Sequence, residues 1–164
     1  MRILFLLLLT ASFLSLSFMT LSDLKIADEL YDRIHNLNYK TFVRAPGFET
    51  RQRALQTQED EEEMWVDIYI NDVMVKALES EKNIEEWPVG SLLVKETYID
   101  GKFVSLGANE KREDGWVINQ WNADGIAEVA NRPKVCWNCH QAGDDMVLGF
   151  RFPQYQIQKK VLKH

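Results

Sequence analysis

The N-terminal part of the chain carries apolar residues at the spacing of an amphipathic helix. From Ser22 to Tyr39 they recur three or four positions apart, and Ser22 or Asp23 is a suitable N-cap. The apolar face consists of Leu24, Ala27, Leu30, Ile34 and Leu37. The break at Ala45-Pro46-Gly47 is followed by a polar stretch, for which we expect weak structure or a second helical segment.

Alternation of apolar and polar residues replaces the helical spacing from residue 64 onward. The run MWVDIYI (64–70) predicts a strand, and Asn71 or Asp72 is the expected cap of a short helix directly after it. The apolar face of this strand consists of Val66, Ile68 and Ile70. Further strands are predicted at 91–98, 103–111, 116–122 and 126–130.

Asp-Gly pairs stand between the later predicted strands, and this dipeptide is typical of tight hairpin turns. The pairs are Asp100-Gly101, Asp114-Gly115 and Asp124-Gly125. Because hairpins place successive strands side by side, the sequence predicts an α+β fold. We expect mostly an antiparallel β-sheet meander of four or five strands, with a helix after the first strand.

The first residues read MRILFLLLLTASFLSLSF, which is the pattern of an export signal. Arg2 supplies the charged start, an apolar run follows, and Ser15-Leu16-Ser17 offers the small residues that a signal peptidase accepts. The alternative is a retained anchor, although the run is short for a span of about 20 residues. We therefore expect an exported, periplasmic protein with a signal peptide at residues 1–20.

The length and charge of the chain restrict its class. A chain of 164 residues is expected to form one main domain. Its net charge of −6 at pH 7 disfavours nucleic acid as a partner, because such binding requires clustered Lys and Arg.

The only two cysteines lie in the sequence VCWNCHQ, as Cys136 and Cys139. This spacing suits a redox dithiol, half of a zinc site, or the attachment of haem c. Zinc would require more ligands, and only His35 and His164 remain outside the motif. A redox dithiol is expected in a βαβ neighbourhood, and a disulfide across two residues would stabilise little.

The histidine directly after the second cysteine favours haem c. In that arrangement Cys136 and Cys139 form thioether bonds to the porphyrin, and His140 ligates the iron. The sequence therefore predicts one covalently bound haem and its iron, carried on a helix or loop near the C-terminus.

The ligand on the opposite side of the iron is less defined by the sequence. Met64, Met74 and Met146 are the methionine candidates, but methionines on strands and helices commonly fill the core. The favoured alternative is an open iron position that faces an apolar pocket. Asp144 and Asp145 are candidates for orienting the ring of His140 through its second nitrogen.

Several segments together resemble the cytochrome P-460 family, whose relatives include the cytochromes c′-beta. They are WPVGSLLVKETY, DGWVINQW, and CWNCH followed by DDMVLGF, and the resemblance runs from about Met64 to Pro153. It implies a mostly antiparallel sheet that carries the haem. On this basis the chain divides into a signal peptide (1–20), an N-terminal helical and polar segment (21–62), a c-haem domain (63–157) and a tail (158–164).

The resemblance also gives Lys95 a role, because the family's lysine in the Val-Lys-Glu strand bonds to a meso carbon of the porphyrin. Alternation places Lys95 on one strand face with Leu93, and Glu96 on the other face. The alternative is a solvated lysine, or one that is paired with Glu110 or Asp67 on a neighbouring strand.

The implied activity is the oxidation of hydroxylamine at a five-coordinate haem, with Lys95 as the catalytic lysine and a cytochrome as redox partner. The alternatives are a nitric oxide-binding protein like the cytochromes c′-beta, and a simple electron-transfer cytochrome. The expected ligand is thus a small nitrogen compound. A homodimer is left open by the sequence.

Overall fold

The computed structural model describes residues 19–53, 63–80, 84–143 and 145–147. The expected tail (158–164), and all but the last two residues of the expected signal peptide (1–20), lie outside the described residues. The elements in chain order are α1 (Leu21–Asn36), a 3₁₀ turn (Tyr39–Thr41), β1 (Val43–Arg44), β2 (Gln52–Arg53), β3 (Met64–Ile70), α2 (Asp72–Glu79), β4 (Leu92–Ile99), β5 (Lys102–Arg112), β6 (Gly115–Asn122), β7 (Ala127–Val129) and α3 (Lys134–His140).

All of the strands pair antiparallel in one sheet of the order β1-β3-β4-β5-β6-β7, with β2 also paired to β3. The α+β class, the antiparallel meander and the helix after its first strand are therefore confirmed, and the segment near the C-terminus that was predicted as a helix or loop is a helix. The sheet has more strands than the four or five predicted. The additional β1 and β2 have two residues each, which is too short for an alternating pattern to reveal.

The N-terminal helix begins one residue before the predicted caps. Thr20 is the N-cap: its hydroxyl accepts a hydrogen bond from Asp23 N at 3.2 Å, and the Asp23 carboxylate accepts one from Thr20 N at 3.0 Å. This reciprocal capping box satisfies backbone groups that a helix start leaves unpaired. Leu37 lies just past the end of α1 and is 52% exposed, so the prediction that it belongs to the apolar face was wrong.

The sheet has two faces, each covered by its own hydrophobic cluster. Helix α1 covers the first, which we call the α1 face, with Ala27, Leu30 and Ile34 packed against strand residues that include Tyr69 and Val94. Residues on both sides of the predicted domain boundary at residue 63 therefore share one core.

The second face, which we call the α3 face, carries Val66, Ile68 and Ile70 as predicted, and all three are buried. Partly buried Cys136 and Trp137 of α3 pack against the same cluster. Its other buried members are Ala45, Met74, Trp87, Leu93, Trp116, Ile118, Met146 and Val147.

Capping and turn residues explain how successive helices and strands are connected. Asn71 caps α2, since its side chain accepts a hydrogen bond from Met74 N at 3.3 Å. Asp100 and Gly101 join β4 to β5 with φ values of 50° and 75°, the left-handed pair that a tight hairpin requires. No helix within the described ranges combines the length and the hydropathy needed to cross a membrane.

Candidate cofactor site

Helix α3 presents the complete Cys-x-x-Cys-His motif. Cys136 is partly buried, Cys139 is exposed, and both are free thiols. Residues three apart on a helix lie on the same side, so both thiols point to one side of α3, and His140 ends the helix beside Cys139. Burial raises the pKa of the Cys136 thiol, and the positive charge of Lys95 partly opposes this.

The imidazole of His140 has two described polar groups near its Nδ1, of which the farther is the amide nitrogen of Asn109 at 3.5 Å and the nearer is a backbone carbonyl. Its Nδ1 lies 2.8 Å from the carbonyl oxygen of Met146, and therefore Nδ1–H donates to that carbonyl. Burial lowers the pKa of His140, which favours the neutral ring. In this tautomer Nε2 carries a lone pair, and it makes no hydrogen bond within the described part of the chain. A neutral imidazole with Nδ1 bonded to a carbonyl is the form that ligates metals.

The Asp145 carboxylate does not bind the ring of His140, so the prediction that it orients the ring directly through the second ring nitrogen was wrong. The Asp145 carboxylate accepts hydrogen bonds from Trp87 N at 2.8 Å and from Lys111 Nζ at 3.0 and 3.2 Å. The partner of this carboxylate is thus the ammonium of Lys111 on β5. The backbone carbonyl of Met146 binds the His140 ring in its place. Asp144, the other candidate, lies outside the described residues.

Lys95 lies on the α3 face, as alternation predicted, with Ile68 and Gly107 opposite it on the neighbouring strands. It is partly buried and makes no hydrogen bond or ion pair with any residue that the structure describes. Burial lowers the pKa of Lys95, although the charges of Cys136 and Cys139 oppose this. Electrostatic interactions of Lys95 with both Cys136 and His140 place it in the same neighbourhood as α3.

The alternative ion pairs of Lys95 do not form, because both candidate carboxylates lie on the opposite face. Asp67 binds Arg44 and Arg51, at 2.6 and 2.8 Å. Glu110 pairs instead with two other arginines, Arg33 of α1 and Arg112 of β5. The one-residue alternation of a strand separates these carboxylates from Lys95.

Sequence reasoning missed Gly107, which shapes the space around Lys95. A Cβ atom at this position would lie 3.7 Å from Lys95 Cε and 3.8 Å from Lys95 Cβ. The lysine side chain therefore extends across the bare backbone of β5. A glycine in the interior of a strand was the available signal, since it often marks a close approach to the backbone.

Two of the methionine candidates have packing roles. Met74 is 0% exposed and Met146 is 8% exposed, and both belong to the core cluster of the α3 face. Met64 is partly buried at the start of β3. Within the described ranges, no group of three or more His, Cys, Asp or Glu side chains is arranged to hold a metal ion.

A cavity of about 290 Å³ opens on the α1 face, and so lies on the opposite side of the sheet from α3. Its lining includes Tyr39, Lys40, Glu96 and Tyr98. Glu96 is 2% exposed and accepts hydrogen bonds from three tyrosine hydroxyls and from Lys40. These bonds join the Tyr39–Thr41 turn to the sheet, which is a structural role separate from the cysteine site.

The fold and the site together define an α+β protein whose antiparallel sheet carries a Cys-x-x-Cys-His helix on one face. Comparisons with protein-family models, with curated proteins and with solved structures found no match to this chain.

Proposed function

We propose that this protein is an exported c-type cytochrome that carries one haem. Cys136 and Cys139 are its attachment residues, and His140 is the proximal iron ligand. The observation that carries this proposal is the hydrogen bond from His140 Nδ1 to the Met146 carbonyl. This bond leaves Nε2 free on a helix that also presents two unpaired thiols.

The surrounding residues fit a haem. The α3 face offers buried apolar side chains for a porphyrin plane, and these include Val66, Ile68 and Leu93. When bound, a haem supplies an iron that takes up small ligands and exchanges electrons. This chain contributes the two sulfurs, the imidazole and an apolar wall that excludes water.

Lys95 supports a reaction with a small nitrogen compound, for which hydroxylamine oxidation is our first candidate. The neutral amine is the form of lysine that bonds to carbon. Because burial lowers the pKa of Lys95, a larger fraction of this lysine is neutral. No carboxylate or hydroxyl among the described residues neutralises or engages this amine. Lys95 is therefore the proposed catalytic residue and the proposed point of a covalent link to the porphyrin. Formation of that link would replace an amine N–H and a meso C–H bond by an N–C bond and would pass two electrons and two protons to an oxidant of the peroxide class.

A second candidate function, binding of nitric oxide, is favoured by the composition of the α3 face. Along the described strands β3 to β6, the residues on this face include no Asp or Glu that could remove a proton. A general base must lie within hydrogen-bond reach of the substrate. Nitric oxide requires none, whereas hydroxylamine oxidation requires proton removal. In an electron-transfer role, another cytochrome is the expected partner.

The test is expression with export in a host that matures haem c, followed by intact mass measurement and oxidised and reduced spectra. The wild type is expected to carry the added mass of one haem, and the double variant Cys136→Ser, Cys139→Ser to carry none. His140→Ala should alter the iron spectrum. His35→Ala should not, because His35 is exposed on α1, where its ring binds the Tyr31 carbonyl at 2.8 Å and contacts the rings of Tyr31 and Tyr39.

The spectra also separate the candidate functions. A ferrous Soret band shifted far to the red indicates the Lys95 link, and this shift should disappear in Lys95→Met. A high-spin spectrum without the shift indicates the gas-binding protein, and a low-spin spectrum an electron carrier. A matured wild-type chain without the added mass would overturn the proposal.

A further inference from the structure

The carbonyl that holds His140 belongs to an unusual turn. Asp145 and Met146 have φ values of 44° and 68°, so two consecutive residues other than glycine adopt the left-handed conformation. Such residues persist only where the surrounding structure holds them. The position of the Met146 carbonyl, and with it the orientation of the His140 ring, therefore depends on what fixes this turn.

An ion pair in the interior fixes it. Lys111 Nζ donates to both carboxylate oxygens of Asp145, at 3.0 and 3.2 Å, and the backbone N–H of Trp87 donates to the same carboxylate at 2.8 Å. The Lys111 side chain is only 8% exposed and that of Asp145 is 17% exposed. Loss of Lys111 would leave the Asp145 carboxylate without its charged partner, and loss of Asp145 would leave Lys111 paired with Glu86 alone.

Lys111 is held in place by the sheet and by a second carboxylate, that of Glu86. It lies near the end of β5, where it pairs with Trp116 in the sheet, and its ammonium stands 5.8 Å from the centre of the Trp116 ring. Glu86 also binds Lys111 Nζ, at 2.9 Å, but is 74% exposed. Burial would lower the pKa of Lys111, but the hydrogen bonds that it donates to Glu86 and Asp145 outweigh this and raise it. The sheet thus presents a fixed positive charge to the Asp145 turn.

We propose that the Lys111–Asp145 pair positions the His140 imidazole and sets the donor strength of its Nε2 toward a bound metal. The inference rests on the proposed function, because it assigns Nε2 to the haem iron. A hydrogen bond at Nδ1 fixes the ring plane and makes Nε2 a stronger donor. Neither Lys111 nor Asp145 touches the ring, so both are positioning residues that act through the Met146 carbonyl.

The experiment compares Lys111→Met and Asp145→Asn with wild type in the mature haem protein. The thioether residues are unchanged, so both variants should retain the mass of one haem. The iron–histidine stretching frequency in resonance Raman spectra should fall. The ferrous-to-ferric ratio at a fixed potential should rise about tenfold, which corresponds to about 59 mV for one electron, because a weaker donor stabilises ferric iron less.

Three control variants separate positioning from general effects of charge. Asp114→Asn removes the ion pair with Arg132, at 2.7 Å, but Asp114 is 73% exposed and this variant should behave as wild type. Glu86→Gln removes only the exposed partner of Lys111, and it should leave the iron–histidine frequency and the potential unchanged. Lys111→Arg keeps the charge and should preserve the wild-type frequency and potential. A frequency and potential that are unchanged in both Lys111→Met and Asp145→Asn would overturn the inference.

A measurement without haem separates this inference from the proposed function. In the metal-free protein, nitrogen NMR should show the His140 proton on Nδ1 in the wild type, and a mixture of tautomers in Asp145→Asn. Absence of haem from the mature wild type would refute the proposed function, while this tautomer change would still support the positioning role. An unchanged tautomer in Asp145→Asn would refute the positioning role by itself.

Discussion

Lys95 and Gly107 face each other across β4 and β5, and the lysine side chain lies over the place where a side chain at 107 would stand. The separation of 3.7 Å between Lys95 Cε and that place is an ordinary van der Waals distance. The path of Lys95 across the α3 face therefore leaves space for a methyl group at position 107, whereas a larger side chain there would meet the lysine.

A side chain larger than a methyl group at position 107 should displace Lys95. Gly107→Ala should be accommodated, whereas the branched side chain of Gly107→Val should push the amine toward solvent. Since burial is the main cause of the lowered pKa of Lys95, that pKa should return toward 10.5 in Gly107→Val and change little in Gly107→Ala. Titration of the lysine side chain by NMR measures this, and equal pKa values in both variants would contradict it.

Lys95→Met should stabilise the haem-free protein at neutral pH by about 1–3 kcal/mol, the usual cost of a buried polar group without a partner. The folded protein binds the Lys95 proton less tightly than the unfolded chain does. The free energy of unfolding of the wild type should therefore rise as the pH increases toward 10.5, and the advantage of the variant should shrink. Chemical denaturation across this pH range measures both effects. The exposed Lys102→Met is the control and should show neither of them.

Glu96→Gln should destabilise the fold by about 2–4 kcal/mol, because three tyrosine hydroxyls and Lys40 lose a charged acceptor. Urea denaturation measures the loss. The exposed Glu128→Gln on β7 should stay close to the wild type. A Glu96→Gln variant as stable as that control would show that the cluster contributes nothing.

Glu96→Gln should also change how the free energy of unfolding depends on pH in the alkaline range. Burial and the charge of Glu96 raise the pKa of Tyr98 to about 12, so its contribution is present below pH 10 and is lost as the pH rises through about 12. Without the carboxylate charge, the pKa of Tyr98 should fall only partway toward 10, since burial is the larger cause and remains. Ultraviolet titration of tyrosine ionisation in the two proteins tests this.

Asp67→Asn should weaken the attachment of the segment that contains β1 and β2, because Arg44 and Arg51 both bind this carboxylate. The expected loss at neutral pH is about 2 kcal/mol. Burial would raise the pKa of Asp67, but hydrogen bonds from the two arginines outweigh it and lower the pKa. The stabilisation is therefore present above pH 3.8 and lost as the pH falls through the lower folded value.

Thermal unfolding measured from neutral to acid pH is the test of this loss. The curves of wild type and Asp67→Asn should converge at the acid end. Asp32→Asn, a change to an exposed carboxylate on α1, should match the wild type at every pH. A constant difference between wild type and Asp67→Asn at all pH values would show that ionisation of Asp67 is not the cause.

The positions of most elements could be predicted, because their signals are local. Alternation located β3 with its buried residues Val66, Ile68 and Ile70, and Asp100-Gly101 located a hairpin. The two-residue strands were missed, since their pairing with β3 depends on partners far along the chain. The capping residue Thr20 lies two positions before the nearer predicted cap, Ser22, which is within the usual uncertainty of a helix end.

By itself, the sequence determined the kinds and order of the longer strands and of the first two helices, the face of β4 that carries Lys95, and the grouping of two thiols with one imidazole on a single short segment. These features depend on residues within a few positions of one another. Only the tertiary structure decided that Lys95 makes no ion pair with a described residue, that Lys111 rather than solvent neutralises Asp145, and that a backbone carbonyl orients His140. These contacts are made between strands and turns that are distant in the chain. Strand register and packing place those strands and turns next to one another.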